Sequence, residues 1–301
     1  MIHRLIRPLM VALAIIALAA CGSSNSPMAM SGSPGVDLGT AAPDGPARIV
    51  SISTVATEIL FAIGASERVV AVDSQSNHPT EAPITDLSGF EPNVEAILGF
   101  QPDLVILSYD PGDVVASLEA AGVATLLQGA AYTIADTYSQ IEALGAATGD
   151  EDAADALVLE MRAEIADLVD SVEPREEPLS YYHELAATLY TVTSSTFIGE
   201  VYTLAGLVNA ADPADADGSA WGYPQLSAEY LLDADPDLIF LADTRCCAQD
   251  AETVAARPGW ESLTAVETGR IVELDDDVAS RWGPRIVDFL RAIVNAVNAI
   301  D

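Results

Sequence analysis

From Arg48 onward, short apolar runs alternate with longer stretches whose apolar positions keep helical spacing. Arg48-Ile49-Val50-Ser51-Ile52-Ser53 reads as a strand, residues 56–63 as a helix closed by Gly64, and residues 69–72 as the next strand. Residues 94–99 make a short helix and 104–107 a strand. Residues 114–121 form a helix ended by Gly122, and 124–127 a fourth strand. This β-α-β-α rhythm predicts a parallel sheet covered by helices on both faces.

The rhythm returns at a fixed offset. Asn93-Val94-Glu95 through Leu107 can be laid against Ser227-Ala228-Glu229 through Leu241. Glu95, Leu98, Pro102, Asp103, Leu104 and Leu107 then meet identical residues 134 positions on. Six matches in register point to two copies of one unit. Between them, residues 150–172 hold no Gly or Pro, and Ala154, Leu157, Val158, Met161, Ile165, Leu168 and Val169 keep helical spacing. Asp150, Glu151 and Asp152 suit the first turn and Pro174 follows the end. At 1.5 Å per residue such a helix spans about 35 Å, enough to brace two units. The fold class is therefore α/β. Two Rossmann-like lobes, 47–148 and 176–301, are joined by one long helix within 149–175, with a ligand cleft where the strands' carboxyl ends face each other.

The first residues belong to a different system. Arg4 and Arg7 precede an apolar stretch at 9–20, too short to span a bilayer but suited to a signal peptide. It ends Leu18-Ala19-Ala20-Cys21, which resembles a bacterial lipobox, so residues 1–21 read as a lipoprotein signal peptide with Cys21 as the lipidated residue. Residues 22–46, rich in Gly, Ser, Pro, Ala and Met, read as a flexible tether.

Charge narrows the function classes. The 301 residues carry 46 acids against 12 bases, a net charge of −34, and every base is Arg. Without Lys there is no phosphate-loop, Schiff-base or protein-kinase lysine. A surface this acidic repels nucleic acid and anionic lipid, which leaves a covalent anchor as the membrane attachment. Half the residues are hydrophobic, ample for a core. No Gly-x-Ser-x-Gly elbow appears, the first strand-to-helix turn lacks the dinucleotide glycines, and His183-Glu184 has Thr188 where a second His would complete a zinc motif. An enzyme is not indicated.

Several stretches carry a family resemblance. These are Ser51 through Leu60, Asn93-Val94-Glu95 with Gln101-Pro102-Asp103-Leu104-Val105, and Tyr223-Pro224-Gln225-Leu226-Ser227-Ala228-Glu229. Arg257-Pro258-Gly259-Trp260 and Ser280-Arg281-Trp282-Gly283-Pro284-Arg285 complete the set. In this order they resemble the substrate-binding proteins of ABC importers for ferric siderophores, haem or cobalamin. The resemblance implies two lobes that bind a bulky metal chelate with little hinge motion. It implies docking on a permease dimer, with its ATPase subunits, through one glutamate per lobe. By motif position these are Glu95 and Glu229, also the matched pair of the internal repeat, as a two-fold partner with paired arginine pockets requires. The expected chain is a monomer when free, anchored outside the cytoplasmic membrane, with no intrinsic cofactor and a ferric siderophore or cobalamin as ligand.

A bulky chelate calls for aromatic walls and, where its rim is anionic, arginines. Arg281, Arg285 and Tyr223 match family positions at the ligand, and Trp221 and Trp282 neighbour them in sequence. Phe90 and Tyr109 follow first-lobe strands; Tyr182, His183 and Tyr190 are placed just after the second lobe's opening strand. His183 stands as a candidate axial ligand or as a hydrogen-bonded loop residue, and Arg281 and Arg285 stand as ligand contacts or as partners of Asp275 to Asp277. Cys246 and Cys247 have only each other once Cys21 is lipidated. Adjacent Cα atoms lie about 3.8 Å apart, under the usual disulfide span of about 4.4–6.8 Å. A vicinal bridge, two free thiols and a metal-ligand pair all stay open. Two other functions remain beside transport: a lipoprotein that binds a bare metal ion, and a signalling or interaction lipoprotein on the same fold.

Overall fold

The computed structural model describes residues 45–300. Cys21, the signal segment and nearly all of the 22–46 tether lie outside the described residues.

The first sheet contains β1 (Ile49–Ile52), followed by α1 (Thr54–Ala62) and β2 (Val69–Val72), then α2 (Val94–Leu98) and β3 (Leu104–Leu107), then α3 (Val114–Ala120) and β4 (Ala124–Leu127). All pairings are parallel, in the order β2-β1-β3-β4. Helices α4 (Ile134–Thr148) and α5 (Glu151–Asp170) lead out of it. The second sheet has β5 (Ser180–Glu184), α6 (Phe197–Leu204), β6 (Val208–Asn209), α7 (Ala228–Ala234) and β7 (Leu238–Leu241). After short helices α8 (Thr244–Cys247), α9 (Ala251–Ala255) and α10 (Thr264–Glu267) come β8 (Ile271–Glu273), α11 (Asp276–Ser280) and α12 (Ile286–Asn298). Its order, β6-β5-β7-β8, repeats the first.

The repeat in sequence is a repeat in space. Asp103 accepts from the backbone N–H of Ala47 and Arg48 at the entry to β1, at 3.0 and 2.9 Å. Asp237, its counterpart, accepts from the N–H and hydroxyl of Ser180 at the entry to β5, both at 2.8 Å. The repeated Pro-Asp thus ties each lobe's third strand to its first. Asn93 and Ser227 likewise cap α2 and α7 by accepting from Ala96 and Tyr230 N–H.

Alternation along the central strands builds the core on both faces. Ile49, Leu104 and Ile106 of the first sheet, with Tyr181, Leu238 and Phe240 of the second, share one large cluster with α4, α5 and α12. Val50, Ile52, Val105 and Leu107 face a second cluster, and Tyr182, Ile239 and Leu241 a third.

The long helix expected within 149–175 is α5, and α4, at the end of the first lobe, packs beside it. α4 runs up to α5 and turns back at Gly149, whose φ of 78° is the left-handed conformation that glycine adopts freely. Gly145 and Ala154 meet at that turn, where a larger residue at 145 has no room. α5 begins tied to the first lobe, where Arg68 binds the Thr148 carbonyl and the Asp150 carboxylate. It ends tied to α12, where Asn298 bonds the Ser171 carbonyl and the Glu173 N–H at 2.9 and 3.0 Å.

Candidate functional site

In parallel sheets the strands' carboxyl ends release the loops that carry ligand contacts. Here those loops present the exposed aromatic side chains: Phe90 after β2 (77% exposed), Tyr109 after β3, Tyr132 after β4, Tyr190 after β5, and Trp221 (87%) and Tyr223 (46%) after β6. Aromatics exposed to this extent, gathered at one edge, mark a contact surface. Burial first, and the electrostatic influence of Tyr132 on the opposite lobe second, raise the Tyr223 phenol above its ordinary pKa. Tyr132 went unread in the sequence, although it follows β4 as Tyr109 follows β3.

Several contacts join the two lobes. Glu200 of α6 accepts from the Ile134 N–H at the start of α4, at 2.8 Å, and Trp282 donates its indole N–H to Gln140 at 3.1 Å. Glu58 on α1 receives Arg281 and Arg285. Arg281 also reaches Asn77 and the Gln75 carbonyl of the first lobe, and Asp277 of its own, at 2.9, 3.1 and 2.7 Å. The hydrogen bond to Glu58 holds the Arg285 guanidinium above its usual pKa.

Five sequence assignments are corrected by this geometry. Arg281 and Arg285 point into the joint between the lobes instead of toward a ligand, because Glu58, 4% exposed, needs both cations there. Local pairing with Asp277 is present but secondary in number of contacts on Arg281. Trp282 packs against the shared core and spans to α4, with no part in the aromatic edge. Tyr182 and His183 lie within β5, not after it, and both are fully buried. Tyr182 packs edge-on against Trp260. His183 Nδ1 sits 2.7 Å from the Tyr202 hydroxyl, and burial pushes its pKa down to about 3, so it is a neutral core residue without reach to a metal chelate.

Glu95 and Glu229 are each the second residue of a short helix, α2 and α7, and both are exposed. Among the described residues neither takes part in an ion pair. Beneath the loop after β7, Arg257 makes a two-pronged bond to the buried Glu184, 2.6 Å on each side. Asp243, fully buried beside that pair, has no hydrogen-bond partner on either carboxylate oxygen. The Cys246 and Cys247 sulfurs are bonded to one another, their Cα atoms 3.8 Å apart, and both residues are exposed. Among the described residues no three or more His, Cys, Asp or Glu side chains gather as a metal site. None of the described helices is long and apolar enough to cross a membrane. An apolar pocket of about 260 Å³ lies at the opposite, amino ends of β5 and β6, lined by Pro174, Leu179 and Leu207, and is separate from the aromatic edge.

Known proteins share this sequence and architecture. The family described as periplasmic binding protein matches residues 49–278. An ABC transporter substrate-binding lipoprotein of Bacillus subtilis, itself uncharacterized, is 29% identical over 84% of this chain and 80% of its own. A cobalamin-binding protein of Halobacterium salinarum is 31% identical over 83% of this chain and 69% of its own. Among solved structures, a periplasmic haem-binding protein from Roseiflexus aligns with a TM-score of 0.71 and 26% identity over 84% of this chain and all of its own. The periplasmic vitamin B12-binding protein of Vibrio cholerae aligns at 0.67 and 25%, over 84% and 97%. These relatives are named as binding proteins, not as enzymes. The chain belongs to the periplasmic binding protein family, in the class that embraces binders of iron chelates, haem and cobalamin.

Proposed function

We propose that this chain is a lipid-anchored, extracytoplasmic solute-binding protein of an ABC importer, that its ligand is a corrinoid of the cobalamin type, and that it hands this ligand to a permease. One observation carries the ligand choice: the cleft edge is aromatic, and each arginine beside it (Arg245, Arg257, Arg281 and Arg285) is already engaged by carboxylates. A ligand with several ionised groups on its rim calls for cations to receive them. A corrinoid, with broad apolar faces and amide-bearing edges, asks chiefly for aromatic area and hydrogen bonds. The name of the Halobacterium salinarum relative supports the same choice.

Mechanistically, the ligand enters from the open side and settles between Phe90, Tyr109 and Tyr132 on one lobe and Tyr190, Trp221 and Tyr223 on the other. The Glu58 clasp and the α4–α5 pair keep the lobes near one separation, so binding orders loops more than it swings domains. Docking follows through Glu95 and Glu229, held on matching helices and outside the ion pairs of the described residues. ATP is hydrolysed by other subunits. Lipid on Cys21 keeps the protein at the membrane that holds the permease.

The test is native mass spectrometry of the protein against cyanocobalamin, haem, ferric siderophores and bare ferric and cobalt ions at micromolar concentration. Retention of cyanocobalamin is expected. Retention of a ferric siderophore or haem alone overturns the ligand choice and keeps the transport class. Stabilisation by a bare ion, without chelator, overturns both.

A further inference from the structure

The loop after β7 differs from the other cleft loops in what it displays. By the 134-residue repeat it is the counterpart of the loop after β3, which presents Tyr109, 56% exposed. On the second lobe the loops after β5 and β6 also present aromatics. The loop after β7 has none, and shows the joined Cys246 and Cys247 instead, both exposed.

Its backbone is clamped from below. Asp276 accepts from the N–H of Thr244, Arg245 and Cys246 at 2.8, 3.0 and 2.7 Å, and from the Thr244 hydroxyl at 2.9 Å. Arg245 pairs with Asp275 and Asp277, both at 3.1 Å, and Asp277 in turn accepts from Asn77 of the first lobe at 2.8 Å. The cystine therefore stands on a segment held by Asp275, Asp276 and Asp277 of its own lobe, and Asp277 is also bonded by Asn77 of the first. A disulfide is apolar, polarizable and well suited to lie against a π-face. Left in water it gains nothing, and a loop already held by Asp276 needs no cross-link of neighbouring residues for its shape.

We propose that the Cys246–Cys247 cystine is a ligand-contacting element, taking on the second lobe the place that Tyr109 takes on the first, so that the bound chelate rests between a phenol ring and a sulfur face. The inference rests on the reading of this cleft as a chelate site. It makes binding sensitive to redox state. A dithiol such as dithiothreitol gives two electrons and two protons to the S–S bond, closing to its own cyclic disulfide and leaving two separate thiols on the protein. The single sulfur face is then lost.

The experiment uses the full-length lipoprotein in detergent, with cyanocobalamin or whichever chelate of the panel is retained. Saturating ligand is expected to slow reduction of the cystine by dithiothreitol at least tenfold, read as the appearance of two carbamidomethyl groups after iodoacetamide quenching. The C246S/C247S double variant is expected to bind at least tenfold more weakly, alongside Tyr109→Ala as a cleft control. A double variant that binds within twofold of the wild type, while Tyr109→Ala weakens binding, overturns the role of the cystine and leaves the chelate site standing. Reduction at the same rate with and without bound ligand overturns it equally. Failure of the wild type to retain any chelate overturns the underlying reading, and this inference with it.

Discussion

The Glu58 carboxylate of the first lobe accepts a hydrogen bond at 2.9 Å from the Arg281 guanidinium of the second, 223 residues further along the chain. Arg285 adds two more, at 2.9 and 2.6 Å. Two cations on one nearly buried anion leave little freedom for the lobes to part, because separating them strands Glu58 and Arg285 and leaves Arg281 only Asp277. Glu58→Gln keeps the shape and removes the charge. It is expected to cost about 3 kcal/mol or more, seen as a lowered urea midpoint. An unchanged midpoint would show that the clasp is solvated in solution.

The aromatic edge separates binding from folding. Trp221 is 87% exposed, so Trp221→Ala is expected to leave the unfolding midpoint within about 0.5 kcal/mol of wild type while weakening ligand binding by about tenfold or more. Tyr182→Ala is expected to do the reverse, losing about 3–5 kcal/mol of stability from the core. Isothermal titration of the two variants beside their melting curves checks the pair. Equal affinity in Trp221→Ala and wild type would remove Trp221 from the wall.

Docking is a pairwise property. With Glu95 and Glu229 exposed and outside the ion pairs of the described residues, replacing both by Ala is expected to leave ligand affinity unchanged and to abolish uptake in cells carrying the permease. A single replacement should leave partial uptake, since one lobe still engages. Full uptake by the double variant would overturn docking through Glu95 and Glu229 and leave the transport role standing.

The strands at 49–52, 69–72, 104–107 and 124–127 were readable because each is a short apolar run bounded by turn residues, and the repeat exposed the second lobe. Helix α4 carries Ile134, Tyr138, Ile141 and Leu144 at helical spacing, a signal as legible as that of the longer helix after it. Other features lay beyond local pattern. Ser180-Tyr181-Tyr182-His183-Glu184 looks half polar and so suggests a loop edge. Only its central place in a parallel sheet, covered on both faces, drives Tyr182 and His183 inside. The Glu58–Arg281 pair joins segments that nothing in their sequences connects, and the arginines' family position suggested a ligand where the structure holds an acid.

Two buried groups set opposing pH dependences. His183, pushed by burial down to about 3, takes up a proton more readily when unfolded, so it costs stability as pH falls below about 6.5. Asp243 is pushed up to about 6, by burial first and then by the neighbouring Glu184, with Arg257 opposing and Asp276 adding to the rise. It binds its proton more tightly when folded, so its ionisation costs stability as pH rises from about 4 through 6, and that cost is complete above. Asp243→Asn removes the cost without removing the shape. The variant is expected to be more stable than wild type at pH 8 by about 2 kcal/mol, with the advantage shrinking to nothing near pH 4. Urea unfolding of both proteins at those two pH values checks it. An advantage that is the same at both would mean that Asp243 is ionised at an ordinary pKa, its two oxygens served by water beneath the cystine loop.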